Sequence, residues 1–190
     1  MTLKTSWPQA VSLAHKKEVL ASLPVEGVVT GLSPELREKL RALDVLLRTV
    51  DRQTVYDVRV VDISMARVGL WERSALLISA PTLALLSGEE LRALVAHEIG
   101  HEYFAAEYDR ATMALDHRRL KELELMCDAI GIVMLQDLGL DPSRLMASVE
   151  RVTLYNRRTS QNGMDESNYP NLDERREFAA AVQRWMEGIK

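Results

Sequence analysis

His97-Glu98-Ile99-Gly100-His101, set inside a run of helical apolar spacing, narrows what this chain can become more than any other stretch. Two histidines four apart lie about one turn apart on the same helix face, so both imidazoles can reach one metal ion. The glutamate between them projects to the same side, where it can hold and deprotonate a metal-bound water. Leu91, Leu94, Val95 and Ala105 make an apolar stripe, with Glu98 in its middle and His97 and His101 on one flank. A carboxylate there is costly unless something pairs with it or tunes it. The bland reading is a chance match on a core helix, and the residues that follow weigh against it.

Composition sets the frame. A chain of 190 residues, 47% apolar and 27% charged, has the makings of an ordinary globular protein with a substantial core, so a single domain over 1–190 is expected. A net charge of −4 gives no reason to expect nucleic acid as a partner. The doublets Arg118-Arg119, Arg157-Arg158 and Arg175-Arg176 read as solvated helix faces, each interrupted by acids or apolar residues. Cys127 is the single cysteine, which rules out an intrachain disulfide and suits a reducing compartment. Residues 1–8 lack the apolar run of a signal peptide, and the richest apolar window, 75–86, is too short to span a bilayer. The expectation is a soluble, cytoplasmic protein.

In chain order, Ser6 as cap and Pro8 in the first turn predict a helix reaching about Ser22. Its His15, among Lys16, Lys17 and Glu18, reads as a solvent-side residue. Ser33-Pro34-Glu35 starts a second helix, continued by Leu36, Leu40, Leu43, Leu47 and Val50. Residues 1–52 are thus N-terminal helices. The period then changes to alternation over residues 54–61, a strand, and residues 74–79 offer a second strand after an irregular piece with Gly69 and Trp71. Residues 54–80 are expected to form a small antiparallel or mixed sheet, with a short helix over 82–86. Ser87 and Glu90, at capping-box spacing, open the helix that carries His97 and His101, predicted to end near Tyr108. After a polar stretch, 109–119, further helices are predicted over 120–138, 143–158 and 173–186, the last burying Phe178, Val182 and Trp185. Residues 159–169 read as an exposed loop with a turn at Asn162-Gly163. The fold class is α+β, mainly helical.

A catalytic zinc site takes three protein ligands and leaves a fourth position for water. A third histidine six residues after His101 is absent, since Phe104 and Glu107 hold the positions that arrangement needs. His117 is a weak candidate because Asp116, Arg118 and Arg119 beside it look solvated. The stretch Lys121-Glu122-Leu123-Glu124-Leu125-Met126-Cys127-Asp128 offers two glutamates. Leu120, Leu123, Cys127, Ile130, Met134 and Leu138 define its apolar stripe, with Glu124 on the border and Glu122 nearly opposite, toward solvent. Glu124 is therefore the favoured ligand. Asp128, one turn on, is placed to hydrogen-bond a ligand histidine and fix its tautomer. Cys127 reads as a small buried packing residue, and Gly131 as a point of close helix approach. The competing reading of Glu124 is an ordinary boundary carboxylate in an ion pair.

These residues together resemble the HtpX-like gluzincin metallopeptidases, the family that includes the CAAX prenyl proteases. The family's H-E-x-G-H followed by E-x-x-A-D-x-x-G is matched by residues 97–101 and by Glu124-x-x-Cys127-Asp128-x-x-Gly131. Residues 79–90 resemble its strand, short helix and S-x-E-E-L opening of the active-site helix. Leu138-Gly139-Leu140-Asp141-Pro142 resembles its G-x-D-P segment, and Tyr169-Pro170-Asn171-Leu172-Asp173-Glu174-Arg175 its H-P-x-x-x-x-R segment. The likeness covers roughly residues 58–178. It implies a zincin-like metalloprotease domain, zinc held by His97, His101 and Glu124, and Glu98 as general base. It implies also that Asp128 and Arg175 support the site, paired with each other. The strand Ala75–Ser79 would be an edge strand that binds an extended peptide by main-chain pairing. Cys127 stands in place of alanine, and Tyr169 in place of the histidine of the H-P pair, where its hydroxyl can still donate to an oxyanion. Many members carry transmembrane helices, and no span is read in this chain.

The expected function is a zinc-dependent endopeptidase acting on a peptide, an unfolded protein or a partner protein, with Glu98 as base and Tyr169 and Arg175 beside it. A zinc-stabilised binding or regulatory module without turnover is a second reading, motivated by Tyr169. A third is a dedicated regulator that cuts one partner, as ImmA-type proteases do, although the segments at 139–142 and 169–175 fit HtpX-like enzymes better.

Overall fold

The computed structural model describes residues 8–23, 27–50, 55–159 and 167–188. Among them, helices α1 (Leu13–Ser22) and α2 (Pro34–Thr49) come first. Strands β1 (Asp57–Val61), β2 (Val68–Trp71) and β3 (Ala75–Ser79) follow, and then helices α3 (Ala80–Leu85), α4 (Gly88–Met113), α5 (His117–Asp137), α6 (Ser143–Thr159) and α7 (Leu172–Glu187). The result is mainly helical with a small three-stranded mixed sheet, an α+β arrangement. No helix among the described residues is long and apolar enough to cross a membrane.

The helix starts are set by local chemistry. Ser33 caps α2 with Pro34 in its first turn, as expected. Ser87 and Glu90 close a capping box at the head of α4, each side chain bonded to the other's backbone. A second box, Asn171 with Glu174, opens α7 and went unread in the sequence. The first helix begins later than predicted, capped by Ser12, whose hydroxyl accepts from the His15 N–H. The predicted Ser6 cap lies outside the described residues, as do Thr54 and the Asn162-Gly163 turn. Helix α4 continues to Met113 rather than stopping near Tyr108, and α5 begins at His117 under an Asp116 cap. All of the polar stretch but residues 114–116 is helical, because Ala111 still packs on Leu120 and Leu123 while its charged neighbours face water. Trp185, expected inside, is 60% exposed.

The sheet departs from expectation at a point that matters. The piece with Gly69 and Trp71, read as irregular, is strand β2, joined to β3 by a turn in which Glu72 and Arg73 both have positive φ. Such turns usually advertise themselves with Asn-Gly or Asp-Gly, and this one does not. The order is β1-β3-β2, with β3 parallel to β1 and antiparallel to β2. Ala75–Ser79 is therefore the central strand and not an edge. Its central place follows from its composition: Ala75, Leu76, Ile78 and Ser79 are all buried, which suits a strand covered by neighbours. The outer side of β1 is partly covered by residues 27–29, through a Val28–Val61 bridge and the Val29 N–H to Val60 carbonyl bond. On β2, Ser79 N–H bonds the Arg67 carbonyl, and the antiparallel alternation turns the polar backbone of Val68 and Leu70 away from β3.

One face of the sheet, through Val60, Val68, Leu76 and Ile78, packs on Leu43, Leu46, Leu83, Leu86, Leu91, Leu94, Val95 and Ile99 in one apolar core. Helices α4 and α5 cross closely beside it. A methyl on Gly100 would lie 3.0 Å from the Cys127 Cα and carbonyl oxygen, and one on Gly131 would lie 3.1 Å from the His97 backbone nitrogen. Only glycine permits that approach, which brings the helix faces that carry His97, His101 and Glu124 together.

Candidate metal centre

The α4–α5 crossing faces both histidines toward one glutamate. His97 Nε2 lies 3.5 Å from Glu124 Oε2, and His101 Nε2 lies 3.7 Å from Glu124 Oε1. Both gaps exceed a good hydrogen bond. They approach the spacing of neighbouring ligand atoms around a tetrahedral zinc, about 3.4 Å for metal–ligand bonds of about 2.0–2.2 Å. Donor chemistry agrees, since two imidazoles and one carboxylate are a usual zinc set. The Glu98 carboxylate and the ring nitrogens of His97 and His101 lie within 4.8 Å of one another, so Glu98 borders the same space.

The side chains around the two imidazoles and Glu124 are tied down. Asp128, fully buried, accepts from His97 Nδ1 at 2.8 Å, which leaves Nε2 to face Glu124. Arg175, the lone charged residue of α7 in the interior, spans both carboxylates. It donates from Nη1 to Asp128 at 2.7 and 2.9 Å and from Nη2 to Glu124 Oε2 at 2.8 Å. The Asp128–Arg175 pairing is thus present, and the guanidinium reaches Glu124 as well. Tyr108, passed over in the sequence, donates its hydroxyl to Glu124 Oε1 at 3.1 Å, and its ring meets that of His101 edge-on at 5.1 Å. Two helical turns separate Tyr108 from His101, a spacing that only the position of Glu124 beside both makes informative.

Burial and charge set the proton positions. Burial alone would lower the His97 pKa, but the Asp128 and Glu124 carboxylates outweigh it and hold it at about 10. His101 goes the other way, to about 4, because burial and the His97 charge both disfavour its protonation. Burial would raise Glu124, yet His97, His101 and Arg175 keep it ionised well below the usual carboxylate range. Burial and the Glu124 charge lift Glu98 to about 7, against the pull of His97, Arg67 and the Leu70 N–H. A carboxylate with a near-neutral pKa is suited to taking and returning a proton.

Tyr169 lies on the rim, 39% exposed, where burial and the negative charges of Glu124 and Glu98 raise its phenol pKa. Arg67, just before β2, is close enough for its charge to act on both Glu98 and Tyr169. Its neighbour Ala66 exchanges two hydrogen bonds with the buried Asn156 side chain, 2.7 and 2.8 Å, which pins the start of β2 to α6. Nothing in the sequence singles out Asn156, since its partner is 90 residues away. His117 does not join the centre: it opens α5 and its Nδ1 bonds Asn168. Glu122 points outward to Arg118 and Arg119. Cys127 is buried at the α4 contact and is a packing residue.

Compared with known proteins, the chain matches no family model, and no curated protein matches it in sequence.

Proposed function

We propose that the chain is a zinc-dependent endopeptidase with a zincin-like domain, similar to the HtpX-like gluzincins. The observation that carries this reading is one buried glutamate on α5 facing two imidazoles of α4 at tetrahedral-ligand spacing, with a second carboxylate alongside. His97, His101 and Glu124 would hold zinc. Bound there, zinc would supply a Lewis acid that polarises a scissile carbonyl and acidifies water. Glu98, with its pKa near 7, accepts the proton of the attacking water and delivers it to the leaving amine. Asp128 keeps His97 in one tautomer, and Arg175 neutralises the two buried carboxylates. Tyr169 is the oxyanion donor in this reading, at the rim beside Glu98 and Glu124.

The peptide would run along β2, not the strand first expected. The antiparallel alternation turns the backbone of Val68 and Leu70 to that edge, where the Leu70 N–H bonds the Glu98 carboxylate. An extended chain added there passes beside the base. A single buried thiol suits work in a reducing compartment such as the cytoplasm.

Two variants test the proposal. Glu98→Gln should keep zinc and lose hydrolysis of an unfolded protein substrate, whereas Glu124→Ala should lose most of its zinc. Full hydrolysis by Glu98→Gln would end it. Tyr169 in place of histidine favours a second reading, a zinc-stabilised binding module, which tight metal binding with no cleavage across a broad peptide library would select.

A further inference from the structure

We infer that Tyr108 is a positioning residue for the third ligand, fixing the Glu124 carboxylate so that one oxygen faces each imidazole. This rests on the reading of His97, His101 and Glu124 as metal ligands. The last torsion of a glutamate is soft, and its carboxylate turns readily unless both oxygens are held. Here each oxygen has its own donor from a different element. Tyr108 of α4 bonds Oε1, the oxygen nearer His101, and Arg175 of α7 bonds Oε2, the oxygen nearer His97. With either donor alone, the carboxylate could pivot about the remaining bond.

The tyrosine is itself held. Its ring stands edge-on to His101 at 82°, so the hydroxyl is aimed by the same imidazole whose partner oxygen it bonds. A phenol keeps its proton at neutral pH and is a donor to an ionised carboxylate. Tyr108 therefore does for Glu124 what Asp128 does for His97. Such supporting bonds govern metal affinity because they settle ligand orientation before the ion arrives.

Tyr108→Phe tests this, since it keeps the ring against His101 and deletes one hydrogen bond. Zinc affinity would be measured by competition with a chelator of known affinity, on protein whose helical circular dichroism matches the parent. The expected change is weakening by about 10- to 100-fold. Cobalt(II) in place of zinc should show visible bands shifted in energy and intensity, because a freed carboxylate changes how many oxygens it offers. Affinity within twofold of the parent, or weaker binding with unchanged cobalt bands, would overturn the inference. Failure of the metal-centre reading looks different: the parent chain would itself bind no zinc, or His97→Ala would leave the affinity untouched.

Discussion

Gly100→Ala puts the close crossing of α4 and α5 to a test in which even the sign of the effect is informative. Within an ordinary helix the change stabilises by about 1 kcal/mol, because alanine loses less backbone freedom on folding. Here the new methyl would stand 3.0 Å from the Cys127 Cα and carbonyl oxygen and 3.2 Å from its Cβ. Ordinary carbon contacts are about 3.5–4.0 Å, so the helices must part by roughly 0.5 Å or more. The first two atoms belong to the backbone of a packed helix and cannot swing aside. Overpacking of this kind costs about 1–3 kcal/mol, which outweighs the propensity gain and leaves a net loss of about 1 kcal/mol. For a chain of this length the melting temperature falls by about 2–4 °C instead of rising. Parting the helices also stretches the gaps between Glu124 and the two imidazoles, already 3.5 and 3.7 Å. Zinc sites tolerate roughly 0.2 Å in their bond lengths, so affinity should drop by roughly tenfold or more. Thermal unfolding of the metal-free protein and a zinc competition titration give the two readouts. A higher melting temperature with undiminished zinc affinity would refute the close-approach reasoning.

Removing the cation that serves both buried carboxylates should be worse. Arg175→Met leaves Asp128 and Glu124 to share the charge of His97 alone, a loss of about 3–5 kcal/mol. That lowers the melting temperature by about 10 °C in chelator, and by less in saturating zinc, whose charge replaces the guanidinium; equal losses in both conditions would separate Arg175 from the ligands. Zinc binding should release about one proton at pH 8, because His97, held at about 10, must give up its Nε2 proton, while His101, near 4, is already neutral. Calorimetry in buffers of different ionisation enthalpy measures this, and an exchange of zero protons would contradict the assignment of charge. The same raised pKa helps the metal-free fold fully below about pH 6.5, and that help is lost as the pH climbs through about 10.

Whatever depends on helical repeat was open to inspection in the sequence. The four-residue spacing of His97 and His101, the border position of Glu124, and Asp128 one turn beyond it follow from 3.6 residues per turn, and the structure brings these side chains together. Capping residues likewise named the starts of α2 and α4. Trp185 is exposed against the pattern because an apolar stripe shows which face is apolar but not where its cover ends.

Tertiary structure alone decided the rest, because backbone pairing and close packing join residues far apart in the chain. The sheet order put Ala75–Ser79 in the middle and left the edge to Val68–Trp71, four residues with no legible turn signal after them. It also turned the Leu70 N–H toward Glu98, and Asn156 pinned the strand that carries it. Tyr108 acquired its partner only when α5 lay against α4, and Arg175 its double role only when α7 closed over both carboxylates. Periodicity lists the side chains on a face; the distance between two faces comes from the packing that presses them together.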